Sequence, residues 1–458
     1  MNDLPKGWAM ITLGEICSKP QYGWTCRAAK TGRIKYLRTT DISGDSIHWG
    51  NVPYCEELPD DIEKYRVYQD DILVARAGSV GISYRIEEVP FDTVFASYLI
   101  RFNALDGIEP KYIEFFLKSQ DYWRSISDFT AGIAIPNVNA SKLASLKLPL
   151  TPLAEQKRIV AKLEELLGKV DACQKRLEKI PIILERFRQS VLAAACSGRL
   201  TADWREKNPS ASEQAPHSND ATLPEIPESW RWVKLPETGE MTRGRSRHRP
   251  RNEPSLLGGP YPFIQTGDIA QSGGRITTHK QTYSEAGLAQ SRLWAAGTIC
   301  ITIAANIAES AILIYPACFP DSVVGIIANP KVAVAEYVEF FIRVAKADLA
   351  TFAPATAQKN INIGILNEVQ VPLPPLPEQE EIVRRVEALF ALADRIEARY
   401  QKAKAHTDKL TQSILAKAFR GELVPQDPKD ESAVELLKKI CEEKASTEKT
   451  EKTTRRKK

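Results

Sequence analysis

The chain has 458 residues, 43 % of them apolar and 26 % charged, and its 62 Lys and Arg against 58 Asp and Glu leave a net charge of +4. These proportions exclude a wholly disordered or collagen-like chain, and at ~150 residues per domain the length suggests about three domains. The near-balanced charge does not announce nucleic acid, so a DNA-binding reading must come from local patches.

The start, Met1-Asn2-Asp3-Leu4-Pro5-Lys6-Gly7-Trp8, lacks the apolar core of a secretory signal. The first 151 residues read as a mixed α/β front, with short strands at residues 71–76 and 97–102 and a helix over 110–118. Residues 152–200 read as a long helix. Ile159, Leu163, Leu166, Val170, Cys173, Leu177 and Ile180 follow a 4-3-4-3 spacing, the a/d seam of a coiled coil. Pro152 suits a first helical turn, Glu155 suits the positive end of the helix dipole, and Gly198 offers a left-handed stop. Pro181 interrupts the pattern, but the seam continues in phase through Leu184, Phe187 and Val191, which predicts a kinked but continuous helix over 152–197. At 1.5 Å per residue such a helix spans about 69 Å. Residues 201–223, rich in Pro, Ser, Asn and Ala toward their end, read as a linker.

From residue 224 the chain is written again. Leu4-Pro5-Lys6-Gly7-Trp8 returns as Ile226-Pro227-Glu228-Ser229-Trp230, and Tyr36-Leu37-Arg38-Thr39-Thr40-Asp41-Ile42 as Phe263-Ile264-Gln265-Thr266-Gly267-Asp268-Ile269. Tyr112-Ile113-Glu114-Phe115-Phe116 is echoed by Tyr337-Val338-Glu339-Phe340-Phe341, and Pro152-Leu153-Ala154-Glu155-Gln156 by Pro375-Leu376-Pro377-Glu378-Gln379. Ser190 to Leu200 matches Ser413 to Leu423. Five blocks in one order at nearly constant spacing define an internal repeat. Residues 224–373 form the second front, with a strand at 298–303 and a helix over 335–343. The stretch from Ile299 to Cys318, the most apolar of the chain, is broken by Glu309, Ser310 and Pro316 and reads as buried strands and turns, not a membrane span. Residues 374–424 form the second helix, its seam at Ile382, Val386, Leu389, Ala393, Ile396, Tyr400 and Ala403. Residues 425–458 read as one short helical stretch and a largely disordered Lys/Glu/Thr-rich tail.

The expected fold is α+β: two mixed α/β heads separated by a two-helix antiparallel coiled coil, with internal pseudo-two-fold symmetry. Antiparallel pairing follows if the termini of the second front lie close together, since one helix ends and the other begins there. Two-fold readers contact DNA half-sites about one turn (~34 Å) apart, which suits such a spacer.

A search for catalytic patterns finds no Walker A, G-x-G-x-x-G, G-x-S-x-G or H-E-x-x-H motif, and the five histidines are scattered. No cysteine pair has C-x-x-C spacing, so neither a zinc cluster nor a disulfide framework is expected, and a reducing cytoplasm fits. Basic patches are more informative. Arg243, Arg245, Arg247, Arg249 and Arg251 lie within nine residues, in a stretch that Gly244 and Pro250 force into a loop. Arg27, Lys30, Arg33, Lys35 and Arg38 cluster at the corresponding place in the first front, beside Tyr22 and Trp24. Guanidinium and ammonium groups so placed can reach phosphates or guanine edges.

The helices carry a family resemblance. Pro152 to Glu206 includes P-L-A-E-Q-K-R-I-V-A-K-L-E-E-L-L, then Arg186-Phe187-Arg188-Gln189-Ser190, then Ser197-Gly198-Arg199-Leu200-Thr201 with Trp204-Arg205. This resembles the central conserved region of specificity subunits of Type I restriction-modification enzymes, and the second helix resembles their distal conserved region. The two fronts look like target recognition domains. The resemblance implies a non-catalytic subunit that recognises an asymmetric bipartite target on double-stranded DNA. It implies docking of two adenine-N6 methyltransferase subunits and, for restriction, two motor-nuclease subunits. S-adenosylmethionine, ATP and Mg²⁺ would belong to those partners, with no cofactor and no metal on this chain. From the residues alone two other readings stay open: a self-sufficient endonuclease or methyltransferase fragment, and a coiled-coil scaffold that never touches DNA.

Overall fold

The computed structural model describes residues 4–43, 46–132, 136–209, 223–247, 253–304, 307–351, 361–442 and 444. The chain forms two compact units, Met1–Glu178 with Lys402–Lys458, and Lys179–Gln401. Each unit therefore joins one head and the start of its own helix to the end of the other repeat's helix.

In the first unit Ala9–Thr12 pairs antiparallel with Lys147–Leu150 and closes the base of the head. A four-stranded sheet in the order Gln21–Tyr22, Leu99–Phe102, Ile72–Ala75, Ser83–Arg85 forms its body, beside a second four-stranded sheet that includes Lys35–Leu37 and Thr93–Phe95. The second unit repeats the pattern. Arg231–Lys234 pairs with Gln370–Leu373, and a five-stranded sheet contains the same order of four strands, Gly239–Arg243, Val323–Ala328, Ile299–Thr302 and Ser310–Leu313, with Arg275–Ile276 at its edge. The apolar stretch beginning at Ile299 supplies two strands, Ile299–Thr302 and Ser310–Leu313, in which every residue is buried, the polar Thr302 and Ser310 included. No helix among the described residues is long and apolar enough to cross a membrane.

The sequence blocks that recur are those that fasten each head to a helix. The indole Nε1 of Trp8 donates to the Glu155 carboxylate at 3.0 Å, and that of Trp230 to Glu378 at 2.9 Å. The neighbouring glutamines hold the base of each head. Gln156 accepts from the Glu109 amide and donates to the Thr151 carbonyl, both at 2.9 Å. Gln379 accepts from the Val334 amide at 2.8 Å and donates to the carbonyls of Val332 and Pro374. Tyr112 donates to the Pro149 carbonyl and Tyr337 to that of Pro372. Gly421 and Gly198 end the helices with φ of +75° and +77°. A Cβ on Gly421 would stand 2.4 Å from Pro5 Cγ, and one on Gly198 2.4 Å from Pro227 Cγ. Thus the helix end of one repeat packs on the opening segment of the other.

Within each unit the two helix pieces run antiparallel. Gln174 reaches Asp408, whereas Leu163 shares a core with Leu415 and Phe419. In the second unit Arg188 pairs with Asp394 at 2.7 Å and Glu397 at 2.8 Å, whereas Arg385 reaches Asp203 and the Leu200 carbonyl.

The helices depart from expectation in three ways. The first is two helices, Leu153–Leu177 and Ile180–Cys196, not one kinked helix. Pro181 lacks an amide hydrogen and crowds the preceding turn, so it occupies the first turn of a new helix. Its counterpart, Leu376–Phe419, runs unbroken for 44 residues. Second, the heptad seam is only partly a helix–helix seam. Ile159 and Leu163 are buried in the first head's core with Tyr112, Ile113 and Phe116, and Ile382 and Val386 in the second's with Trp230 and Tyr337. Val170 is buried, Leu166, Leu177, Leu389 and Tyr400 are half-buried, and Cys173 and Ile396 are exposed. Third, the linker begins later than residue 201, while the short helical stretch expected after residue 424 is present and packs on the first head. Arg199–Thr201 and Ala202–Lys207 are helical, and Thr201 and Arg205 both donate to Glu378. Residues 433–442 are helical and bury Ala433, Leu436 and Ile440 in the first core.

Two outcomes test this framework. Glu378 keeps two donors when its indole is lost, whereas Glu155 has Trp8 as its one side-chain donor among the described residues and its Oε1 is already buried without a partner. Trp8→Phe should therefore destabilise by about 1–3 kcal/mol in chemical denaturation and Trp230→Phe by less. Glu339 is 2 % exposed, and burial pushes its carboxyl up to about 8, against the pull of Arg343 and a hydrogen bond from Ser310. The folded state then holds a proton that the unfolded chain releases, so stability falls as pH rises from about 4.5 through 8. The slope is at most about 1.4 kcal/mol per pH unit. Glu339→Gln should flatten it in denaturation series across that window.

Candidate nucleic-acid interface

A shared glycine sets the two basic loops at equivalent places. Gly23 follows strand Gln21–Tyr22, and a Cβ there would meet the Ala96 carbonyl at 2.2 Å. Gly244 follows strand Gly239–Arg243, and a Cβ there would meet the Pro320 carbonyl at 2.3 Å. Only glycine permits this approach of two main chains. The chain beyond it leaves the sheet edge, carrying Trp24, Arg27, Lys30 and Arg33 in one head and Arg245 and Arg247 in the other.

The ten basic residues expected to meet DNA fall into three groups. Arg27, Lys30, Arg33, Arg245 and Arg247 are exposed. Arg243 is exposed too, but its guanidinium donates twice to the Asp321 carbonyl, at 3.0 and 2.7 Å. Lys35 and Arg38 are engaged inside the first head. Lys35 is buried, donates to the Val52 carbonyl at 2.6 Å and lies 4.3 Å from the Tyr54 ring centre. Arg38 forms a two-point pair with Asp41 at 3.0 and 2.8 Å. Lys35 holds the head together, because a buried ammonium must find acceptors, whereas the half-buried Arg38 is neutralised locally by a carboxylate three residues on. Arg249 and Arg251 lie outside the described residues.

Two arginines that carry no motif also stand at these faces. Arg292 stacks 3.9 Å from the Trp294 ring centre and pairs with Glu240 at 3.1 Å, and the neighbouring Ser291 hydroxyl donates to the Arg245 carbonyl. Arg76 stacks over Tyr22, one residue before Gly23. Isolated arginines outside a cluster leave no periodic or spacing signal in a sequence.

A sheet-based head with an exposed basic loop, present in two versions on one repeated frame, has the form suited to a DNA-recognition protein. The comparisons agree. A family model described as the Type I restriction modification DNA specificity domain matches residues 5–181 and 227–405. The chain is 31 % identical to the EcoKI specificity subunit of Escherichia coli (strain K12), across 97 % of each chain. It is 32 % identical to the StySPI specificity subunit of Salmonella potsdam, across 96 % of each. Its fold is similar to that of the HsdS subunit from Thermoanaerobacter tengcongensis, with a TM-score of 0.62 and 20 % identity over 92 % of this chain and 98 % of that one. A chain from a study of assembly and conformational transition of the type I R-M system gives a TM-score of 0.69 at 19 % identity, over 92 % of this chain and all of that one. The chain belongs to the family of Type I restriction-modification specificity subunits, which recognise DNA and are not themselves the catalysts.

The exposed and the engaged cations should behave oppositely. Arg245→Ala with Arg247→Ala should lower DNA affinity and flatten its dependence on salt, by a slope of about 2 if both contact phosphates, with denaturation unchanged. Lys35→Met should lower stability and leave the salt slope as it is. Affinity titrations between 50 and 200 mM salt check both.

Proposed function

We propose that this chain reads an asymmetric bipartite DNA target, one half-site per head, and presents that target to methyltransferase and restriction subunits. The observation that carries the reading is the pair of exposed basic loops springing from equivalent glycines, Gly23 and Gly244, with different residues beyond them. A shared backbone gives both heads one docking geometry, and unlike side chains give each its own bases. Arg27, Lys30 and Arg33 serve the first half-site, and Arg245, Arg247, Arg249 and Arg251 the second.

The partners follow from the family. Relatives are named as specificity subunits of Type I restriction enzymes, and a similar chain was studied in the assembly of such a system. Two methyltransferase and two restriction subunits would dock on this chain in the cytoplasm. They would bring S-adenosylmethionine, ATP and Mg²⁺, and the helix Leu376–Phe419 would set the spacing between half-sites.

The experiment is a map of N6-methyladenine in the host genome, with and without this gene. The expected result is a two-part, non-palindromic motif that disappears on deletion and returns on complementation. A motif that survives deletion, or one contiguous motif without a spacer, would contradict the reading.

A further inference from the structure

We propose that Arg76 reads a guanine edge in the first half-site, an inference that rests on the recognition function proposed above. Strand Ile72–Ala75 delivers Arg76 into a tight loop, closed by the Gly81 amide on the Ala75 carbonyl at 2.9 Å and the Ala75 amide on the Ile82 carbonyl at 2.8 Å. The main chain of Arg76 is fixed on both sides: its amide donates to the Tyr98 carbonyl at 2.9 Å, and its carbonyl accepts from the Val138 amide at 3.0 Å. Its guanidinium carbon lies 4.8 Å from the centre of the Tyr22 ring. That ring is itself held, since the Tyr22 hydroxyl accepts from the Ala140 amide at 2.9 Å. No carboxylate among the described residues pairs with Arg76, and its Nε is buried without a partner.

The second head shows what the fold alone requires here. Its loop has the same hydrogen bonds: the Ala308 amide on the Thr302 carbonyl and the Thr302 amide on the Glu309 carbonyl, both at 2.9 Å. Ile303 holds the place of Arg76, with its amide on the Ser322 carbonyl and its carbonyl accepting from Ile361. Ile303 is 2 % exposed. The backbone is kept even where it is uncomfortable, for Ala308 adopts φ +59° where Gly81 has +86°. A hydrophobic residue therefore satisfies this position, and an arginine there leaves a buried nitrogen unbonded. The guanidinium answers to something outside the fold.

The chemistry narrows what that is. A guanidinium is a rigid, planar fork that matches the O6 and N7 acceptors of guanine in the major groove. Phosphates are alike in every sequence and would favour the same cation in both heads, whereas bases differ between half-sites. One arginine on a shared loop, held over an aromatic ring, has the character of a base reader. Tyr98, whose carbonyl holds the Arg76 amide, is 60 % exposed, and Trp123, 41 % exposed, borders Gly81 at the end of the loop.

The test uses the full chain in complex with its methyltransferase partner, methylating a library in which each target position is randomised. Arg76→Ala, Arg76→Lys and Arg76→Ile are compared, the last placing the second head's residue on the same backbone; circular dichroism confirms that each folds. The expected result is loss of preference for one guanine of the first half-site by about 10- to 100-fold in all three, with the second half-site unchanged. Arg76→Lys keeps overall affinity because the charge remains. Unchanged preferences in the Ile and Ala variants would overturn the inference. So would equal weakening of all sites with a shallower salt slope, which marks a phosphate contact, or a wild-type first half-site without a guanine. A wild-type complex that methylates no bipartite motif would overturn instead the recognition function on which it rests.

Discussion

The rest of the structure depends on a carboxylate buried in the first turn of a helix. Glu155 and Glu378 stand where a helix dipole welcomes negative charge, but inside a protein core a carboxylate must also be hydrogen-bonded. Each head answers with the indole of its own opening segment, Trp8 or Trp230. That bond ties the first residues of a head to the helix that leaves it. The adjacent glutamine ties the same helix to the head's base. The proline three residues before each tryptophan then meets the glycine that ends the other repeat's helix. The two repeats are thereby closed on one another, and neither unit is assembled from one repeat alone.

A frame of this kind separates what must be constant from what can vary. The indole, carboxylate, glutamine, tyrosine and glycine recur in both copies because each satisfies a buried polar group or a close backbone approach. The exposed cations beyond Gly23 and Gly244 carry no such duty, and they differ between the two copies. The same division runs through the cations. Lys35 and Arg38 are consumed by acceptors within the head, while Arg27, Lys30, Arg33, Arg245 and Arg247 remain exposed.

Much of the frame was legible because its parts are short motifs written twice, and the pairing of Trp8 with Glu155 explains why those motifs recur. The strands at 71–76, 97–102 and 298–303 were also legible, since their apolar runs are long enough to fill a central strand. The heptad spacing carried less information than it promised. A residue such as Ile159 is apolar at an a/d position whether it faces a helix or a head, and the tertiary packing decides which. Proline marked the right place but not the degree of interruption. Among the cations, counting charges could not separate Lys35 from Lys30, because burial depends on strands brought in from distant sequence. Arg76 was invisible for the converse reason. Its environment is made by Tyr22, Tyr98 and Val138, none of them near it in the sequence.

If the frame is constant and the heads are readers, heads should be exchangeable at the points where the frame closes. The amide of Leu13 meets the Leu146 carbonyl and that of Leu235 meets the Val369 carbonyl, both at 2.8 Å, so residues 13–146 and 235–369 are equivalent inserts. The most direct measurement is the methylation motif written by a chain whose first insert is replaced by a copy of its second. The account predicts a symmetric bipartite motif in which the second half-site occurs twice in inverted orientation. A motif identical to that of the parent chain, or methylation without a defined motif by a folded complex, would contradict it.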